Sequence, residues 1–182
     1  MIHPKAVPSL PHYVRPGLRL IFIGYNPGLE SARQGHYYAF NGNVFWRQLN
    51  LSGLVGREVS HLDDGGLMDE AGLGFTDLCC RPTAKANQLT NAERVEGAEL
   101  LLTELEANQP EYAVFSGKGI YQVFATQALN VSPKNLQARP LGIQPERIGH
   151  TVPYLIPSSS GLASKWHPER LKLLRELAAL LQ

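Results

Sequence analysis

Four short apolar runs, set far apart, constrain this chain more than any other feature. Leu18–Ile23, Gly74–Cys79, Tyr112–Ser116 and Thr151–Ile156 are strand-sized, and each gives way closely to glycine, proline or serine. The distances between them exclude hairpins and leave room for helical crossovers. The intervening sequence supplies those helices. Asn43–Leu54 carries Phe45, Trp46, Leu49 and Leu54 on one broad side. Thr90-Asn91-Ala92-Glu93 is a capping-box pattern opening a helix to about Asn108, with Val95, Leu101, Leu102 and Leu105 apolar and Pro110 beyond its end. Lys118–Gln127 is a short helix after a strand. Pro168 opens a terminal helix with Leu171, Leu174, Ala178 and Leu181 at helical spacing. Alternating strand and helix predicts an α/β domain whose short, mainly parallel sheet is covered on both faces.

With 182 residues the chain is near the size of one ordinary domain, and it shows no repeat or linker. The expected division is an irregular lead-in over residues 1–17, covering one edge, and a single α/β domain over residues 18–182. The lead-in is proline-rich without an apolar core, so it does not read as a signal peptide. No apolar run approaches membrane-spanning length, and no membrane partner is expected. Cys79 and Cys80 are neighbours, which disfavours a disulfide framework and predicts a cytoplasmic protein, nucleoid-associated in a bacterium. They also lack the spacing of zinc ligands, and the histidines do not cluster, so no metal or other cofactor is expected. A chain of this size is expected to be monomeric.

Net charge is only +1, but its distribution is uneven. Residues 1–57 carry +5, residues 58–106 carry −8 and residues 107–182 carry +4. Such banding fits a positive face made from both ends of the chain, or simply solvated acidic helices in the middle.

Ligands of such sheets bind beyond the carboxyl ends of the strands. That rule selects four loops: Gly24–Gly28, Asp77–Thr83, Gly117-Lys118 and Pro157–Gly161. "GYNPG" is neither GxGxxG nor a P-loop. Its Asn26 cannot titrate, but an amide can orient a water or bond a polar ligand; by type alone it is equally a turn residue. "PSSSG" is small and polar, suited to close approach of a phosphate.

Four motifs in order, "GYNPG", "GHYYAFNGNVFW", "GFTDLCCRPT" and "IPSSSGLAS", resemble the mismatch-specific uracil-DNA glycosylase and thymine-DNA glycosylase family from about Leu18 to the last helix. The resemblance implies an α/β/α sandwich in three layers and a monofunctional DNA repair glycosylase. Its partner would be duplex DNA holding a mismatched or damaged pyrimidine. In that family an asparagine, here Asn26, positions the water that attacks C1′ of a flipped deoxyribose. Backbone groups at Gly24 and Tyr25 would face the departing base. Tyr38 matches the aromatic that stacks on it, the alternative being a core tyrosine. Ser31 matches a small pocket residue near position 5 of the pyrimidine. Asn43 matches a motif position or caps a helix, and Thr83 is a further pocket candidate.

Asp77 departs from the pattern, standing where the resemblance leads one to expect lysine or asparagine. As a second functional residue its carboxyl would accept from the base or help activate the water. When ionised it would repel the departing anion, unless burial raises its pKa; the alternative is a loop aspartate. Ser158, Ser159, Ser160 and Gly161 match the phosphate-gripping segment, and Leu162 the wedge that fills the vacated stack. An arginine expected after the wedge is replaced by Ser164, followed by Lys165. Lys118 matches a phosphate contact or is a surface lysine. Two other readings stay open: a non-catalytic binder of damaged DNA on the same fold, and a hydrolase using one of the three serines.

Overall fold

The computed structural model describes residues 8–182. β1 (Leu20–Gly24), β2 (Leu73–Asp77), β3 (Tyr112–Ser116) and β5 (Val152–Ile156) run parallel, and β4 (Gly142–Ile143) joins β5 antiparallel. The sheet order is β2-β1-β3-β5-β4. The register aligns Gly24 with Asp77, so the tips of β1 and β2 lie side by side.

Alternate strand residues feed two separate cores, as the period of two requires. Leu20, Phe22, Phe75, Val114 and Tyr154 pack on one face against α2 (Phe45–Ser52) and α7 (His167–Leu180). Ile21, Ile23, Ala113, Phe115 and Leu155 pack on the other against α4 (Asn91–Asn108) and α5 (Lys118–Gln127). The result is an α/β/α sandwich. At the β2 edge, Tyr13 exchanges both backbone hydrogen bonds with Phe75, 2.9 and 3.0 Å, which fastens the segment before β1 along that edge.

The four expected strands are present, Tyr112–Ser116 unchanged and the others with ends shifted by no more than two residues. α4 begins at its capping box: Thr90 accepts from the Glu93 amide, and the Glu93 carboxylate accepts in return from the Thr90 amide. α2 starts two residues later than the apolar pattern suggests, because Asn43 Oδ1 accepts from Phe45 N at 2.9 Å and holds the chain outside the helix. The buried stripe of α7 is Arg170, Leu173, Leu174, Leu177 and Ala178, with Leu171 and Leu181 only partly covered. The expected stripe of Leu171, Leu174, Ala178 and Leu181 omitted Arg170, Leu173 and Leu177, which carry much of the burial. Helices α1 (Leu29–Gln34), α3 (Leu67–Glu70) and α6 (Pro133–Gln137) and strand β4 are too short to display a period, and the sequence did not announce them.

Candidate active site

Sheet-like pairing continues past the tips of β1 and β2. Leu78 N donates to Gly24 O at 2.9 Å, Cys79 N to Tyr25 O at 2.9 Å and Thr83 N to Pro27 O at 3.1 Å. The turn bearing Asn26 is thereby strapped to the loop bearing Asp77 and Thr83. The strap fixes the Asn26 amide as well. Its Nδ2 donates to Arg81 O at 2.8 Å and to Thr83 Oγ1 at 2.7 Å, with a longer contact to Pro27 O at 3.3 Å. A backbone carbonyl can only accept, so the nitrogen must face Arg81. Thr83 Oγ1 spends its own proton on Lys85 O, 2.9 Å away, and so meets Asn26 as an acceptor. Oδ1 of Asn26 is left with no protein partner among the described residues, oriented and able to accept from a water.

Beside this turn, Gly24, Asp77 and Tyr38 converge. A Cβ on Gly24 would lie 2.1 Å from Asp77 Oδ1 and 3.6 Å from the Tyr38 hydroxyl, so only glycine admits the carboxyl here. Asp77 makes no hydrogen bond among the described residues, and burial pushes its carboxyl up to about 7, against the opposing pull of His12. Tyr38 sits at φ 53 with its ring stacked on Phe45, centroids 4.0 Å apart and planes 10° from parallel. Its loop is held by buried Asp64, which accepts from Tyr37 N at 2.9 Å and faces His36 Nδ1 at 3.0 Å. Burial, then the Asp77 charge, raises the Tyr38 hydroxyl well above the ordinary phenol range.

Arg170 was invisible to sequence reasoning. It is fully buried, its guanidinium 5.3 Å from the Phe45 ring that carries Tyr38. Nη1 donates to Gln48 Oε1 at 2.7 Å, but among the described residues Nε and Nη2 have no partner, and neither do the Tyr38 hydroxyl and Ser116 Oγ. Burial pulls the guanidinium down to about 10, so it stays charged at neutral pH, with no carboxylate paired to it among the described residues. A charged side chain inside an apolar helical stripe is the only signal a sequence offers for such a residue.

The remaining predicted residues form a rim and its supports. Buried Ser159 accepts from Val44 N through its carbonyl at 3.1 Å, tying the Pro157–Gly161 loop to the segment after Tyr38. Ser160 N donates to Ser158 Oγ at 3.2 Å, and His167 Nε2 meets the Ser160 carbonyl at 3.0 Å. Among the described residues no serine hydroxyl of this loop meets a histidine or carboxylate, so the hydrolase reading lacks a general base. Leu162 is fully exposed. The Phe40 ring, also exposed, packs against Gly42, whose carbonyl approaches Gly161. Lys165 lies 5.2 Å from the Trp166 ring. Ser31 Oγ is engaged with Ala39 N at 3.2 Å, and Asn43 Oδ1 accepts from Phe45 N from outside α2, whose cap position is Val44. Lys118, at the start of α5, donates to Gln137 O at 2.8 Å rather than standing free.

The family model described as the uracil DNA glycosylase superfamily matches residues 11–182. The chain belongs to that superfamily. It is 32% identical, over 98% of its length, to a protein of Schizosaccharomyces pombe named as a G/U mismatch-specific uracil DNA glycosylase. It spans only 55% of that relative's length. In fold, this superfamily member resembles the solution structure of a candidate uracil DNA glycosylase from Methanosarcina acetivorans. The TM-score is 0.62 at 17% identity, with 97% of this chain and 99% of that one covered.

Proposed function

We propose that this chain excises uracil from mismatched duplex DNA, acting as a monomer on a nucleotide flipped out of the stack. The observation that carries the reading is the Asn26 amide, anchored through both protons with its oxygen free, at the carboxyl end of β1. A water accepted there is placed to attack C1′ as the N-glycosidic bond breaks and its electron pair leaves with the base. The sugar becomes cationic and the base anionic, so the site must tolerate developing negative charge. Two features serve that need. The Asp77 carboxyl, lifted to about 7 by burial, is protonated in a large share of molecules at neutral pH and then donates to a base carbonyl instead of repelling it. Arg170 adds a buried positive charge behind Phe45 and Tyr38. Tyr38 offers an aromatic surface to the base, and Leu162 fills the gap it leaves. The name of the fission-yeast relative supports uracil opposite guanine as the first substrate to try.

The test is alkali-labile cleavage of labelled duplexes holding U opposite G, U opposite A or T opposite G. Abasic sites at U opposite G are the expected product. Tight binding of that duplex with no abasic site would make the protein a binder of damaged DNA and sink the proposal.

A further inference from the structure

A second cluster of reactive side chains lies between the loop after β2 and α4. A cavity of about 430 Å³ there is lined by His12, Asp77, Cys80, Glu93, Gly97 and Glu104, among others. Three separate segments converge on it. His12 comes from the strip fastened to the β2 edge, Cys80 from the loop beyond Asp77, and Glu104 from α4. His12 Nε2 lies 3.5 Å from Cys80 Sγ, and Nδ1 lies 2.8 Å from Glu104 Oε1. Glu104 is oriented in turn: its Oε2 accepts from Thr76 Oγ1 at 2.9 Å. The thiol and then the carboxylate push the His12 imidazole up to about 10, so it carries a proton at neutral pH. Cys80 is exposed, whereas Cys79 is buried with Sγ against Glu93 O at 3.4 Å.

Sulfur, imidazole and carboxylate in this sequence of contacts are the parts of an assisted nucleophile, with the third group orienting the second. Base excision as derived above uses none of the three. We infer that Cys80, His12 and Glu104 form a thiol-exchange site that accepts small neutral or cationic disulfides. The charge class follows from the lining: with Arg81 paired to Glu93 and His12 to Glu104, Glu96 and the ionised share of Asp77 leave it net negative. In the exchange, Cys80 Sγ attacks one sulfur of the reagent. The reagent's S–S bond breaks as the new Cys80 Sγ–S bond forms. Cys80 attacks as the thiolate, its proton already given up, and the second reagent sulfur leaves with the electron pair and takes the Nε2 proton of His12, which is left neutral. Cys80 is oxidised and the departing thiol reduced. The adduct would occupy the cavity that Asp77 borders, on the loop strapped to Gly24 and Tyr25.

The test follows intact mass and peptide maps of the full chain with cystamine, a dication, and with glutathione disulfide, an anion, at neutral pH and low salt. One cysteamine adduct on Cys80 is expected, forming about tenfold faster in the native chain than in the chain unfolded by urea. Cystamine should outpace glutathione disulfide by about tenfold, with the margin closing at high salt. His12→Asn should bring the native rate down to the unfolded one. A native rate no greater than the unfolded rate overturns the inference, as does modification at Cys79 or equal rates for the two reagents. Should His12→Asn fail to fold, the native and unfolded rates of the wild type decide the matter alone.

Discussion

The places of Asn26 and Asp77 at the ends of β1 and β2 were legible in the sequence because each stands within or just after its apolar run. What holds them was not: Thr83 reaches Asn26 only because the loop folds back after pairing with Gly24–Pro27. Thr83→Val removes the acceptor for one amide proton while preserving shape. It should lower single-turnover excision roughly 10-fold with little change in DNA affinity, and Thr83→Ser should restore most of the rate. Loss of binding in Thr83→Val, or no rescue by serine, would assign the threonine a merely structural part. Asp77 makes a pH prediction. Its folded-state pKa is raised from 3.8 to about 7, so the stability it contributes is complete below about 4 and is lost as pH rises through about 7. On the alkaline side of 7, Asp77→Asn should therefore unfold at higher denaturant, by on the order of 2 kcal/mol after discounting its partial exposure. Excision by the wild type should fall as pH climbs through about 7, and that fall should vanish in Asp77→Asn. An unchanged profile in the variant would remove Asp77 from the chemistry.

At the scale of elements, four strands and the long helices were readable from period and caps, whereas the short helices and β4 carry too few residues to show either. α7 shows where an amphipathic reading fails: Arg170, left out of the expected apolar stripe, is the largest fully buried side chain. Arg170→Met separates the two consequences of that placement. Removing an unpaired buried charge should leave urea stability equal or improved. Excision should nonetheless drop about 10-fold, because the field favouring an anionic base is gone. A stability loss of several kcal/mol with unchanged catalysis in the surviving protein would make Arg170 a packing residue.

For the whole molecule, the uneven charge bands of the sequence fit a nucleic-acid face, and two exposed apolar side chains, Phe40 and Leu162, stand near the ends of the segments that the Val44–Ser159 hydrogen bond joins. Neither exposure was readable from residue type, since an apolar residue in a loop is as often the first residue of a core. Leu162→Ala should slow excision from duplex about 10-fold and leave excision from single-stranded substrate nearly unaffected, because only the duplex has a stack to fill. Equal loss on both substrates would argue that Leu162 supports the loop rather than the flipped state.

Single-turnover release of uracil from a U-opposite-G duplex, with wild type and Asn26→Ala compared at saturating enzyme, bears most directly on the water-positioning role. The expected result is a rate lower by roughly 10²- to 10⁴-fold in Asn26→Ala with duplex affinity retained. Excision within a few-fold of wild type by a folded, DNA-binding Asn26→Ala protein would contradict it.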